Sequence, residues 1–249
     1  MAARLVLLIL LTGILQPAFA LTDSEIRLLQ PSIAGEPLGE RIAFWAEQFA
    51  GTPYDRDPMG DYVTRAAIVA DERIDCMYLT YRAAELGLGE TPEKAVEAAL
   101  DLRFHTKGVL KDGKVMNYED RFEDGEDMVR SGKWGREVTS DLGRTARIRG
   151  RNGREFIVYL PRSGVRAAMG LLKSGDVIFF VKDPAKRVRG EIIAHLGVIK
   201  VEEEPGHARR VYFIHAAGTK ARGGAVKKQP LEDYLSTTQH PGAKITRFE

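Results

Sequence analysis

The chain has 249 residues, 44% hydrophobic and 29% charged, which is the composition of a folded globular protein and excludes disorder as its main state. A formal net charge of +2 is too small to draw the chain onto nucleic acid, and no zinc-knuckle, helix-turn-helix or RNA-binding signature argues for that partner. The single cysteine excludes an internal disulfide.

The first element is an export signal. Arg4 precedes an apolar run from Leu5 to Leu15, broken only by Thr12 and Gly13. The run is shorter than the ~20 apolar residues a bilayer span requires. Ala18-Phe19-Ala20 has the small-x-small form of a cleavage site. Residues 1–20 therefore read as a signal peptide cleaved near Ala20, placing a soluble protein in the periplasm or outside the cell. No later segment is apolar enough to span a membrane. Residues 21–249 read as a single domain with an insertion at about 105–150. Nothing in the sequence fixes the oligomeric state.

Leu38 to Ala50 has the spacing of a helix, with Ile42, Trp45, Ala46 and Phe49 on one side. Gly51-Thr52-Pro53-Tyr54 ends it, and Asp55 to Gly60 reads as a loop. Asp75 is placed to cap a helix running from Cys76 to about Leu86, stopped by Gly87 and Gly89. Thr91-Pro92 opens another helix, to about Phe104. Asp112-Gly113 and Asn152-Gly153 predict two hairpins, the second joining 146–149 to 155–160. Between them, Tyr118 to Leu142 is polar and part helical. Ser163 to Leu172 reads as a short helix. Three strands follow, at 176–181, 192–201 and 210–216, with a basic loop from Pro184 to Gly190. Helices first and strands later predict an α+β fold.

A thiol attacks an amide as thiolate, and a helix N-terminus or a nearby imidazolium eases that ionisation. Cys76 stands at a predicted helix start, where unpaired N–H groups carry partial positive charge and can also hold an oxyanion. His195 sits in the middle of an apolar strand, and His215 near the end of the next. If these strands are neighbours, the two imidazoles lie side by side, and one can orient the other as a base. Cys76 alone reads more readily as a buried core thiol, and the two histidines turn the reading toward a nucleophile. Asp75 needs no role beyond its cap. A zinc site from Cys76, His195 and His215 has suitable ligand types but no closely spaced ligand pair. His105, His207 and His240 read as solvated.

The order Tyr54, Asp75-Cys76, His195 and His215 resembles the NlpC-type papain-like cysteine peptidases of bacterial cell walls. The strings Gly51-Thr52-Pro53-Tyr54, Ile74-Asp75-Cys76, His195-Leu196-Gly197-Val198-Ile199 and Ile214-His215-Ala216 carry it, together with Ser174 to Phe180. An N-acetylmuramoyl-L-alanine amidase-like branch is more similar still, through Tyr118-Glu119-Asp120-Arg121-Phe122 in the insertion. The resemblance implies N-terminal helices, with the nucleophile at a helix start, packed on an antiparallel sheet or small barrel. It implies Cys76 as nucleophile, His195 as base, His215 as the residue orienting it, and Tyr54 as a donor to the oxyanion. It implies hydrolysis of an amide bond in peptidoglycan, in the stem peptide or between N-acetylmuramic acid and L-alanine, with no metal or organic cofactor. The sequence departs from the family pattern at Asp55 to Met59 and at Met77-Tyr78, both expected beside the cleft. A catalytically inactive wall-binding module, or an acyltransferase or lipid-directed hydrolase on the same fold, are the alternatives.

Overall fold

The computed structural model describes residues 20–150, 156–188, 190–203, 206 and 208–249. The expected export signal up to Phe19, the expected turn at Asn152-Gly153, Arg189 and His207 lie outside the described residues. The first helix, α1 (Asp23–Ile33), was not anticipated from the sequence. Thr22 and Glu25 close its start with a reciprocal capping box. In α2 (Leu38–Gln48) the buried side is Ile42, Ala43, Trp45 and Ala46, the stripe its spacing selects. A single turn, α3 (Asp61–Thr64), follows the polar loop.

The central helix is α4 (Cys76–Leu88), with Cys76 as its first residue. The Asp75 side chain accepts a hydrogen bond from the Tyr78 N–H at 2.9 Å, so the expected cap is present. Gly87 does not stop this helix. It lies inside, where a Cβ would come 2.6 Å from Ile42 Cγ1, so its bareness lets α2 approach. Gly89 ends α4, and α5 (Pro92–Leu102) starts from a Thr91 cap with Pro92 in its first turn.

The stretch from His105 to Gly150 begins with the anticipated hairpin, β1 (Leu110–Lys111) and β2 (Lys114–Val115). Asp112 and Gly113 both have positive φ, 49° and 77°, as a two-residue turn of this hand requires. Then come α6 (Gly125–Ser131), β3 (Arg136–Glu137) and β4 (Ala146–Arg149). Two adjacent residues bind this stretch to α5. Trp134, fully buried, donates from Nε1 to the Leu102 carbonyl at 3.0 Å. Lys133 Nζ donates to the carbonyls of Asp101, Phe104 and Thr106, closing the helix end where carbonyls lack partners.

The remainder is β5 (Phe156–Pro161), α7 (Arg162–Ala167), β6 (Val177–Val181), β7 (Ile193–Glu202), β8 (Arg210–Thr219), β9 (Gly223–Pro230), α8 (Leu231–Thr237) and β10 (Gly242–Arg247). Seven strands run in the order β4-β5-β10-β6-β7-β8-β9, every pair antiparallel, and β3 pairs with β10. The architecture is α+β, helices packed on an antiparallel sheet. Alternate residues of β6 enter two cores. Val177, Phe179 and Val181 join the core beneath α2 and α4, while Ile178 and Phe180 join the one beneath α7 and α8. Burial on both faces explains why this strand reads as an unbroken apolar run. No helix among the described residues is long and apolar enough to cross a membrane.

Candidate active site

The site lies where the start of α4 meets β7. The backbone N–H groups of Leu196 and Met77 both favour the ionised form of the Cys76 sulfur. Helix α4 packs on β7, the strand that carries His195 and Leu196. His195 is delivered by a bulge. Phe180 pairs with His195 but the next residue, Val181, pairs with Ile193, so Ala194 is the extra residue. A bulge of this kind bends the strand locally and re-aims the neighbouring side chain.

His195 Nε2 and His215 Nδ1 are 2.7 Å apart, which makes one hydrogen bond between the two rings. The side-by-side arrangement expected of the two strands is present. Gly197 makes it possible, because a Cβ there would sit 2.3 Å from the Ile214 carbonyl oxygen and 3.1 Å from His215 Cβ. Gly197→Ala is expected to push β7 and β8 apart and destabilise the protein by roughly 1–3 kcal/mol. Thermal unfolding of that variant checks it, and an unchanged midpoint would refute the close-approach argument.

The histidines sit in an aromatic nest. Phe213 stacks on His215, centroids 4.4 Å apart and planes 11° apart. Tyr234 lies 6.0 Å from His195 and 5.2 Å from His215, and also touches Phe180 and Phe213. Burial first, then mutual repulsion with His215 and His240, holds His195 well below the usual imidazole range. Burial, helped by Lys227, pulls His215 down to about 4. Both rings are therefore neutral near pH 7. His215 Nε2 is buried and makes no protein hydrogen bond.

The thiol departs from the sequence expectation. Cys76 keeps some exposure, yet its sulfur is enclosed by protein, and burial followed by the Asp75 charge pushes it up to about 12. The helix start does not outweigh these two effects. The resting pair is a thiol and a neutral imidazole.

Tyr54 is near enough to Cys76 to interact with it electrostatically. The segment before it pairs with β9, the Tyr54 N–H donating to the Gly224 carbonyl at 2.9 Å. Its ring lies over Gly218, where a Cβ would meet it at 2.5 Å. Burial, then the neighbouring Cys76 and Asp75 charges, raise its hydroxyl above the ordinary phenol range, so it stays a donor. The two departures from the family pattern fall differently. Tyr78 points away from the cleft, fully buried, its hydroxyl donating to Asp71 at 2.7 Å. Asp55 stays near the site, a buried carboxylate that accepts the Asp57 and Asp61 N–H groups.

Sequence reasoning missed Tyr234 and misplaced His240. His240 is half-buried and stacks on Phe180 at 5.6 Å. Both belong to α8 and the turn after it, a short stretch with too little periodicity to mark it. His105 is exposed as expected. Among the described residues no group of three His, Cys, Asp or Glu is arranged to hold a metal. A groove of about 720 Å³ between the start of α2 and the C-terminal strand is lined by Gly39, Ser174, Arg209 and Phe248, and by none of Tyr54, Cys76, His195 or His215.

Fold and site together describe an α+β protein with a cysteine at a helix start beside two hydrogen-bonded strand histidines. No family model matches the sequence, and no curated protein matches it. Solved structures do. A Legionella pneumophila protein of the DUF1460 family superposes with a TM-score of 0.63 at 18% identity, covering 90% of this chain and 93% of its own. An N-acetylmuramoyl-L-alanine amidase from Bacteroides uniformis gives 0.62 at 18% identity, over 85% of this chain and 99% of its own. A putative xylanase from Bacteroides fragilis gives 0.58 at 16%, over 83% of this chain and 100% of its own. The chain shares their fold. The differing names of these neighbours show that the fold alone does not name a reaction.

Proposed function

We propose that the protein is an exported cysteine hydrolase that cleaves an amide bond of peptidoglycan, on a papain-like fold of the NlpC type. Residues 21–249 act as one domain in this reading, with an insertion at about 105–150. Cys76 is the nucleophile, His195 the base, His215 the residue orienting it, and Tyr54 a donor to the oxyanion. The observation that carries the proposal is the 2.7 Å His195–His215 bond beside a cysteine at a helix start. The fold shared with an N-acetylmuramoyl-L-alanine amidase supports the substrate class.

The chemistry follows from neutral resting groups. His195 donates its Nε2–H to His215 Nδ1, which leaves His195 Nδ1 with a lone pair for the thiol proton. As sulfur attacks the carbonyl carbon, that proton moves to His195, and the new charge on the carbonyl oxygen is met by the Tyr54 hydroxyl and the N–H groups at the start of α4. Collapse of this intermediate breaks the C–N bond, and the amine leaves with the proton from His195. Water then hydrolyses the thioester, with His195 as base again. His215 holds the ring of His195 throughout and accepts no proton.

Mass spectrometry of a muropeptide digest tests the proposal and identifies the bond. Wild type is expected to give new products, either free stem peptides or shortened stems, and Cys76→Ala none. Equal products from both proteins would end the proposal. One observation favours an inactive wall-binding module instead, the thiol pushed up to about 12. Sacculus binding by wild type without any cleavage would establish that reading.

A further inference from the structure

Lys220 lies in the turn between β8 and β9, outside every motif of the sequence. Its Nζ is 3.3 Å from Asp75 Oδ2 and 3.9 Å from Asp55 Oδ2. It also stands 5.7 Å from the centre of the Tyr54 ring. The two carboxylates are buried, and both have other work. Asp75 Oδ1 caps α4, and Asp55 holds the turn after Tyr54 through the Asp57 and Asp61 N–H groups. One ammonium thus serves two buried carboxylates within a residue of the nucleophile and of the oxyanion donor.

The side chains gathered around this site come from six places. Asp75 is at the start of α4, Tyr54 and Asp55 on the segment paired with β9, and His195 and His215 on β7 and β8. Tyr234 is on α8, and Lys220 is in the turn. The histidines are neutral, so Lys220 is the one cation of this set. A thiolate formed here would be a further negative charge beside the two carboxylates.

We propose that Lys220 is a positioning residue of this site, its ammonium balancing the Asp75 carboxylate beside the Cys76 nucleophile. The inference rests on Cys76 being the nucleophile and adds the group that makes its ionisation possible next to Asp75. The same ammonium fixes the Asp75 carboxylate and the Tyr54 segment against the helix start. Its direct effect on Cys76 is favourable to the thiolate, and that of Asp75 is unfavourable and larger.

Because the chain has one cysteine, alkylation of the whole protein by iodoacetamide reports Cys76 alone. Its rate follows the thiolate fraction and needs no wall substrate. Below the thiol midpoint, Lys220→Met is expected to slow alkylation about tenfold, the effect of one unit charge at close range in a partly buried site. Lys220→Arg is expected to restore the wild-type pH profile, which a merely structural loss would not do. Asp75→Asn, which keeps a capping side chain, is expected to speed alkylation at the same pH. A Lys220→Met profile that overlays the wild type, or one that Lys220→Arg fails to restore, would overturn the proposal. So would slower alkylation in Asp75→Asn. Muropeptides left uncut by the wild type would count against the amidase reading and leave the alkylation result standing.

Discussion

Glu85→Leu is expected to cost about 3–5 kcal/mol, the penalty for breaking a buried ion pair from one side. Glu85 is fully buried on α4 and accepts from Arg103 Nε at 2.5 Å and Nη2 at 2.7 Å, and from Arg82 Nη1 at 3.4 Å. Arg82 in turn grips Asp71 with two bonds, at 2.9 and 3.0 Å. The chain Asp71–Arg82–Glu85–Arg103 alternates in charge and is neutral in sum. Without Glu85, two buried guanidinium groups share the single Asp71 carboxylate. Folded domains hold only roughly 5–15 kcal/mol in total, so this is a large part of it. In a chain of this size the unfolding midpoint should fall by roughly 6–20 °C. Circular dichroism melting checks this, with Glu85→Gln expected between the two. A midpoint within a degree of wild type would show that the network is not holding the helices. Since it fastens α4 to α5 behind Cys76, its loss should also loosen the helix that carries the nucleophile.

Acidification from pH 6.5 to about 4 is expected to remove about 3 kcal/mol of stability through His215 alone. The sign follows from the direction of its shift. An unfolded imidazole takes up a proton near 6.5, whereas the folded one resists until about 4. Between these limits the unfolded state binds more protons, so stability falls as pH falls. His195 and His240, both held below their usual range by burial, act in the same sense. Asp75 and Asp124, whose carboxyls burial raises, act against it. The His215 share is isolated by comparison with His215→Asn, which keeps an acceptor near His195 but does not titrate. Urea unfolding at pH 7, 5.5 and 4.5 should show a shallower loss in the variant. Parallel losses in both proteins would assign the acid sensitivity elsewhere.

The parts legible in the sequence were those where a polar residue breaks an apolar pattern. Asp75 before Cys76 reads as a cap, and His195 and His215 stand out within runs of branched side chains. What stayed hidden has physical causes. Strand β10 lies in the middle of the sheet, yet it contains Lys244 and Thr246. The burial of Lys244 is tolerated because it meets Glu137 at 3.2 Å and Glu126 at 3.6 Å, partners more than a hundred residues away in sequence. Arg82 and Glu85 look like an ordinary surface pair at helical spacing, and only the packing of α5 buries them. Strand β9 is mostly polar because it is an edge. The thiol was misjudged because helix position is local, whereas its enclosure by β7 is not.

The place of β10 has a consequence for the order in which the molecule can be finished. It is the last element in chain order, and it fills the gap between β5 and β6. A growing polypeptide that has not yet delivered Gly242 holds β4–β5 and β6–β9 as two separate fragments, each with a bare inner edge. The sheet can be sealed only once Gly242 to Arg247 have joined these two edges.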